Sequence, residues 1–299
     1  MVNFTLRHML QACWTPLATR AARHYIAGPD LADALRTCRQ LSRLGFAGTV
    51  GYWNGDSESP RQLADTHLAA LDALAREGLN CSISIKAPPL GFAQDLLTAI
   101  VERARRADVT IHFDSLAPEA SDATFAMIAE ALPQYPRLGC TLPGRWRRSV
   151  HDADLAVELG VTVRVVKGQW VDPMRPDLDM RTGFLAVIDR LAGRAAHVGV
   201  ATHDVELARE ALRRLRAANT PCELELLLGL PTGLPLRTAA AAGAPVRFYI
   251  PYGHSALPYR LSQVPQTPRV AWWIVRDLLA GPTLPRSHGD KVAGGQQGA

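Results

Sequence analysis

The sequence predicts an α/β protein built as a (β/α)8 TIM-type barrel, and three observations carry this prediction. Eight short β-branched segments alternate with Ala/Leu/Arg-rich segments of helical period, which indicates parallel strands covered by helices. No glycine-rich phosphate turn follows the first strand, and this favours a closed barrel over an open dinucleotide-binding sheet. The length of 299 residues suits one barrel, since such domains commonly run to about 250 residues.

The elements follow one another in a regular order. The predicted strands are 48–54, 81–87, 109–114, 137–143, 161–168, 197–204, 222–228 and 246–253. The predicted helices include 60–78, 122–132, 150–160, 183–193, 204–218 and 268–281. Residues 15–45 indicate one or two leading N-terminal helices that could plug the bottom of the barrel. No linker divides the chain, so 1–286 are predicted to form one barrel domain with a helical extension, and the Gly-rich 287–299 a disordered tail.

Composition narrows the functional classes. Hydrophobic residues make up 47% and charged residues 20%, so the chain can bury a core and is not disordered throughout. The net charge of +5 is spread among interleaved acids without a basic stripe, and we expect no nucleic-acid partner. Five cysteines without a CxxC pair indicate a reduced, cytoplasmic protein. The first residues show no leader pattern and no apolar run reaches transmembrane length, so no signal peptide and no transmembrane segment are expected.

Side-chain alternation sorts the predicted strands into an apolar face and a polar face. An apolar face suits the helix-covered outside, so the polar face is predicted to line the lumen. Buried, unpaired charges cost several kcal/mol, and these groups therefore need a ligand or one another. We expect the site at the top of the barrel, where barrel enzymes carry their chemistry. An alternative is a purely structural ion-pair network of Lys86, Asp114, Arg164 and Glu225. The predicted lumen residues are Ser82, Ser84, Lys86, His112, Asp114, Thr141, Arg164, Thr202, Glu223, Glu225, Arg247 and Tyr249.

Four segments at strand ends, in this order, resemble the proline dehydrogenase family. They are SISIKAPPLG at 82–91, VRVVKGQW at 163–170, ATHD at 201–204 and FYIPYGHSALPYRL at 248–261. Members of this family are barrel flavoenzymes that oxidise proline to pyrroline-5-carboxylate. The resemblance covers most of the chain, and it implies an oxidoreductase that acts on a CH–NH bond and carries FAD.

The resemblance also implies cofactor residues. Arg164 matches an arginine near the reactive nitrogen of the flavin, where it would stabilise the reduced ring. Lys167 and Gly168 match the turn that lets the backbone approach the cofactor. Thr202 and His203 match contacts to the adenosine half. A flavin-contacting glutamine on the fourth strand of the family appears here as Pro143, and a glutamine on its seventh strand appears as Glu225, which is also assigned to the cofactor site.

On the substrate side, Lys86 matches a family lysine at the mouth of the second strand. Tyr249 and Tyr259 match tyrosines that close over the proline ring. His112 stands in place of a family aspartate. It could titrate near neutral pH and act as a base, or it could simply hydrogen-bond Asp114.

The match breaks where the family grips the substrate carboxylate. The paired arginines after the last tyrosine are Ser262 and Gln263 here, and a family glutamate is Gln266. Ser and Gln cannot reproduce a bidentate carboxylate clamp. Arg260 is no simple substitute, because two positions on a helix rotate a side chain by roughly 200°.

These losses favour a proline-like or carboxyl-modified small-molecule substrate over free proline. A proline-like or carboxyl-modified cyclic amine qualifies, as does an amino-acid ester or amide, or an amino acid tethered to a carrier protein. A biosynthetic role is consistent with such a substrate, and the electron acceptor stays open.

Three alternatives remain at this point. The first is a flavin-free barrel, a metal-dependent isomerase or lyase that uses the His and carboxylate groups at the strand ends. The second is a Schiff base on Lys86 or Lys167. The third is a non-catalytic relic that binds a ligand or a partner. The strand-end residues of the first alternative are His112, Asp114, His203, Asp204 and Glu225.

Overall fold

The computed structural model of the protein describes residues 26–55, 57–168 and 171–253. Eight strands close into a barrel in sequence order, and every neighbouring pair is parallel, including β1 with β8. The helices between the strands cover the outside. The predicted α/β barrel is therefore confirmed.

The element bounds are close to those predicted. The strands are β1 Ala47–Trp53, β2 Cys81–Ile85, β3 Ile111–Phe113, β4 Leu138–Pro143, β5 Thr162–Val166, β6 Val198–Ala201, β7 Cys222–Leu227 and β8 Val246–Gly253. The helices are α1 Leu31–Arg43, α2 Pro60–Glu77, α3 Gln94–Ala107, α4 Ser121–Ala131, α5 Ser149–Glu158, α6 Met180–Leu191, α7 Val205–Ala217 and α8 Gly233–Ala242, with a short 3₁₀ helix at Pro118–Ala120.

All eight predicted strands are present, most of them shortened at their ends. Helices α3 and α8 were not among the helical patterns named from the sequence. The predicted helix at 268–281, the tail at 287–299 and the first 25 residues lie outside the described residues.

The main apolar core lies between the barrel wall and the helices. Along β5, Val163 and Val165 are buried on the outer face, while Arg164 between them points inward. Helix α7 turns Leu207, Ala211 and Leu215 toward the wall, a spacing of four residues that gives one apolar stripe. This packing fixes the strands, and with them the inward side chains.

Helix α1 packs on the side of the barrel, against β8 and β1. The Ala27 amide donates to the Pro251 carbonyl (2.8 Å) and the Gly253 amide to the Gly28 carbonyl (3.1 Å), so the chain enters α1 from the top end of β8. The expectation that the leading helices plug the bottom is wrong for α1. No helix in the described part of the chain is long and apolar enough to cross a bilayer.

Candidate active site

One layer of the lumen is polar and is built from alternate strands. Thr49 of β1, Asp114 just after β3, Arg164 of β5 and Glu225 of β7 meet there. A barrel layer takes its four side chains from alternate strands, and these are usually branched and apolar. Here the layer is held together by charge and hydrogen bonds instead.

Arg164 is the centre of this layer and is only 4% exposed. Its Nε donates to Glu225 Oε2 (2.6 Å), one terminal nitrogen to Asp114 Oδ1 (2.9 Å) and the other to Thr49 Oγ1 (3.4 Å). The guanidinium also lies 5.2 Å from the centre of the Tyr249 ring. Burial opposes its charge, but Glu225 and Asp114 outweigh burial and raise the pKa of Arg164. The arginine is therefore a fixed cation.

Tyr249 closes the layer from β8. Its hydroxyl donates to Asp114 Oδ2 (2.8 Å), and the Trp53 side chain hydrogen-bonds to Tyr249. Gly51 makes room for it, because a Cβ at that glycine would lie 2.2 Å from the Tyr249 hydroxyl oxygen. Burial, reinforced by Asp114, raises the pKa of Tyr249 well above its ordinary value. The phenol therefore stays protonated and donates.

Lys86 follows β2 at the mouth of the barrel. Its Nζ donates to the carbonyl of Tyr52 (2.9 Å), and it makes no ion pair among the described residues. Burial lowers the pKa of Lys86, against the pull of Asp114. The ion-pair network considered from the sequence therefore exists for Asp114, Arg164 and Glu225, and Lys86 lies outside it.

His112 bonds to β4 rather than to its neighbour on β3. Its Nε2 lies 3.1 Å from Thr141 Oγ1, so the expected bond to Asp114 is not formed. Burial, with Arg164 and Arg247 nearby, lowers the pKa of His112 well below its ordinary value. This direction opposes the expectation that His112 titrates near neutral pH, because burial and then two arginine charges disfavour the imidazolium.

A second ion pair lies in the layer nearer the strand starts. Arg247 of β8 donates through Nε to Glu223 Oε1 of β7 (2.7 Å) and through a terminal nitrogen to the Gly48 carbonyl (2.8 Å). The sequence placed both side chains in the lumen, and their contact agrees with that placement.

Three basic side chains lie around one carboxylate near the ends of β4, β5 and β6. This group is called the cationic rim, and it consists of Arg145, Lys167, Arg181 and Asp204. Lys167 Nζ and the Arg181 guanidinium each lie 3.8 Å from an Asp204 oxygen. Burial lowers the pKa of Lys167, Asp204 opposes this, and Arg145 and Arg181 lower it further. Asp204 also caps α7, since its Oδ1 accepts from the Leu207 amide (3.1 Å).

Gly168 ends the turn that follows β5. Its φ is +89°, a conformation that L side chains rarely adopt, and a Cβ there would lie 2.8 Å from the Cβ of Pro143. The turn therefore requires glycine.

His203 and Thr202 organise the loops after β6 and β7. His203 Nε2 accepts from the Leu227 amide (2.9 Å), so the hydrogen on Nδ1 points to the Pro231 carbonyl (3.1 Å). Thr202 was predicted to face the lumen. However, Gly199 faces it, because a Cβ there would lie 2.2 Å from Glu225 Oε1, and Thr202 has the opposite alternation. Its hydroxyl accepts from the Asp204 amide (3.1 Å).

The structure adds two residues that the sequence did not single out. Along β1, Thr49 and Trp53 alternate with Val50 and Tyr52, and this alternation could have indicated that the first two point into the lumen. The pattern is weak because Gly51, which lies between them on the same face, has no side chain. Tyr259, the remaining predicted substrate residue, lies outside the described residues, as do Ser262, Gln263 and Gln266.

Comparison with known proteins gives a consistent answer, although no family model matches the sequence. Proline dehydrogenase 1 of Bacillus subtilis subsp. natto is 23% identical over 295 residues, which cover 93% of this chain and 96% of that protein. Proline dehydrogenase of Deinococcus radiodurans is 25% identical over 283 residues, covering 87% and 90%.

Solved structures share the fold. Proline utilization A of Bdellovibrio bacteriovorus, in a crystal structure of the protein inactivated by N-propargylglycine, has a TM-score of 0.68 at 15% identity over 86% of this chain. A proline utilization A mutant of Bradyrhizobium japonicum has a TM-score of 0.61 at 16% identity. This chain spans only about a third of each, 32% and 30% of their lengths. The chain is thus similar to proline dehydrogenases over nearly its whole length and shares the barrel fold of proline utilization A.

Proposed function

We propose that the protein is an FAD-dependent oxidoreductase that removes a hydride from a carbon next to nitrogen in a cyclic amine. The observation that carries the proposal is Arg164, a guanidinium fixed by three side chains beneath the mouth of the barrel. It stands at the position where the family keeps its arginine near the flavin. The family relation supplies the reaction class.

The residues at the strand ends fit FAD. In the cationic rim three basic side chains surround one carboxylate, Asp204, which already caps a helix. Such an excess of positive charge suits the pyrophosphate of a dinucleotide. Lys167 and the Gly168 turn would hold it there. Both ring nitrogens of His203 hydrogen-bond to the backbone, so a contact to the adenosine half would use the ring face.

The ring end of the cofactor site differs from the family pattern in charge. Glu225 replaces a glutamine and binds Arg164 directly, so it would act on the cofactor by positioning Arg164 rather than by touching it. When bound, FAD supplies the acceptor for the hydride. Its isoalloxazine would meet a guanidinium whose charge is already balanced by two carboxylates.

The proton chemistry falls to Lys86. An amine gives up a hydride only when its nitrogen is neutral, so an ammonium substrate must first lose a proton. Burial lowers the pKa of Lys86, which favours the neutral amine that can accept this proton. His112 is the weaker candidate, because two nearby arginines disfavour its protonated form. Tyr249 and Tyr259 would cover the substrate ring.

The substrate we propose carries no free carboxylate. The motivation is Ser262 and Gln263, at the positions where the family has its arginine pair. A cyclic amine, a prolyl ester or amide, or an amino acid tethered to a carrier protein fits this requirement. The metal-dependent alternative gains no support, since no three His, Cys, Asp or Glu residues gather within 26–55, 57–168 and 171–253.

Cofactor content tests the proposal. The purified protein should show the absorbance spectrum of oxidised flavin and release FAD on denaturation. Lys167→Ala should weaken FAD retention because it removes one cation of the rim. Arg190→Ala, an outer arginine paired with Asp154, should retain FAD as the wild type does. A protein that is colourless and binds no added FAD would contradict the proposal.

A further inference from the structure

The described lumen has an unequal charge balance. Arg247 pairs with Glu223 (2.7 Å) and Arg164 pairs with Glu225 (2.6 Å), so these four charges cancel two by two. Asp114 is then the third carboxylate, and it has only a share of Arg164 (2.9 Å). One guanidinium therefore serves two buried carboxylates.

Lys86 does not restore the balance. It is the remaining cationic side chain at this end of the described lumen, and its Nζ donates to the Tyr52 carbonyl (2.9 Å) rather than to Asp114. That bond directs the amine to β1, and Lys86 forms no ion pair with Asp114 among the described residues, although the Asp114 charge still acts on the Lys86 pKa. Asp114 thus lacks a cation of its own among the described residues.

Asp114 also has free capacity and is accessible. A carboxylate offers about four lone-pair sites, and the described residues use two of them, through Arg164 at Oδ1 and the neutral Tyr249 hydroxyl at Oδ2. Its side chain is 15% exposed, against 6% for Glu225 and 9% for Glu223. Asp114 is the most open of the three carboxylates, just beyond the end of β3 at the mouth.

We propose that Asp114 is the counter-ion of the substrate nitrogen and selects cationic cyclic amines that have no carboxylate. This inference rests on the proposed function. The carboxylate binds the ammonium form, and the proton then passes to Lys86. When the C–H bond breaks, its electron pair would leave as hydride to bound FAD, the lone pair of the neutral nitrogen would form the C=N bond, and a positive charge would develop on that nitrogen. Asp114 stabilises that iminium charge. A substrate carboxylate would meet the same excess of negative charge.

The test compares two probes of equal ring size. Pyrrolidine is a cation at neutral pH, and tetrahydrofuran is its uncharged isostere. The Kd of each is measured on the holoprotein by the rise in Tm with probe concentration, and the readout is the ratio of the two Kd values. Asp114→Asn keeps the size of the side chain but removes the charge. This variant should raise the Kd for pyrrolidine by roughly tenfold or more. The Kd for tetrahydrofuran should stay within about twofold of the wild-type value.

Two further variants separate charge from structure. Asp72→Asn removes an outer carboxylate paired with Arg103 and should leave the ratio unchanged. Tyr249→Phe removes a donor to Asp114 but keeps its charge, so both probes should weaken alike and the ratio should stay. The inference would be overturned if Asp114→Asn weakened the binding of both probes equally. It would also be overturned if Tyr249→Phe changed the ratio of the two Kd values. The measurement needs no turnover. A cation preference that depends on Asp114 in a protein that oxidises no amine would refute the function alone, whereas amine oxidation without this preference would refute the inference alone.

Discussion

Arg164 shows how a single residue is specified in this barrel. Its inward direction follows from the alternation with Val163 and Val165, and the carboxylates that receive it come from β3 and β7. Burying a guanidinium is costly unless every strong contact is made. Two carboxylates and a hydroxyl make those contacts here, so the residue is rigid before any ligand arrives.

Removal of this arginine is expected to be costly. Arg164→Ala leaves Asp114 and Glu225 in the lumen without their shared cation, and breaking a buried pair from one side costs about 3–5 kcal/mol. Arg190→Ala, on the outer surface, should change stability little. Urea denaturation of both variants measures the difference. Similar unfolding free energies for the two variants would show that protonation or water compensates the buried carboxylates when Arg164 is removed.

The sequence predicts these residues unevenly. Arg164, Glu225 and Tyr249 follow from alternation along long strands. The direction of Thr202 does not follow in this way, because β6 is short and ends before the threonine. The inner face of β6 is occupied by Gly199, which has no side chain to indicate it. Trp53 and Thr49 were overlooked because a glycine between them left the inner face of β1 without a polar pattern. The state of His112 depends on Arg164 and Arg247 from other strands, which no local pattern contains.

At the scale of a single element, helix α2 contributes a titratable histidine, His67, to the core. Ser59 caps the helix through the Gln62 amide (3.3 Å) with Pro60 as the first helical residue, so its start is readable from the sequence. His67, about two turns after Pro60, is 5% exposed. Burial, with Lys86 nearby, lowers its pKa to about 3, against a partial pull from Asp114.

The pH dependence of stability follows from this depressed pKa. As pH falls below about 6.5, the unfolded chain binds a proton at His67 while the folded chain stays neutral until pH is about 3. The unfolded state then holds more protons, so stability is lost as pH falls through this window. His112 acts with the same sign.

His67→Gln should flatten this acid limb. The slope of unfolding free energy against pH between about 6.5 and 3 should fall by up to about 1.4 kcal/mol per pH unit, the share of one proton. Urea titrations at several pH values measure both slopes, and the two proteins should respond alike above pH 7. An unchanged slope would show that His67 is protonated in the folded protein.

At the scale of the whole molecule, the barrel was fully predictable and its inner charge only partly so. Eight strands with a consistent outer face require helices on one side and a lumen on the other, and closure follows from their order. The position of α1 on the side of the barrel was not predictable, because its apolar stripe fits either surface. The interpretation that Ser262 and Gln263 replace an arginine pair rests on the sequence resemblance alone, since both residues lie outside the described part of the chain.

The central proposal is that this protein oxidises an amine that has no free carboxylate. The direct measurement is anaerobic mixing of the FAD-loaded protein with L-proline or with L-prolinamide at equal concentration, following the loss of flavin absorbance. L-prolinamide should reduce the flavin faster, because its uncharged amide needs no arginine clamp and does not oppose Asp114. Faster reduction by L-proline would contradict the claim and show that another cation grips the carboxylate.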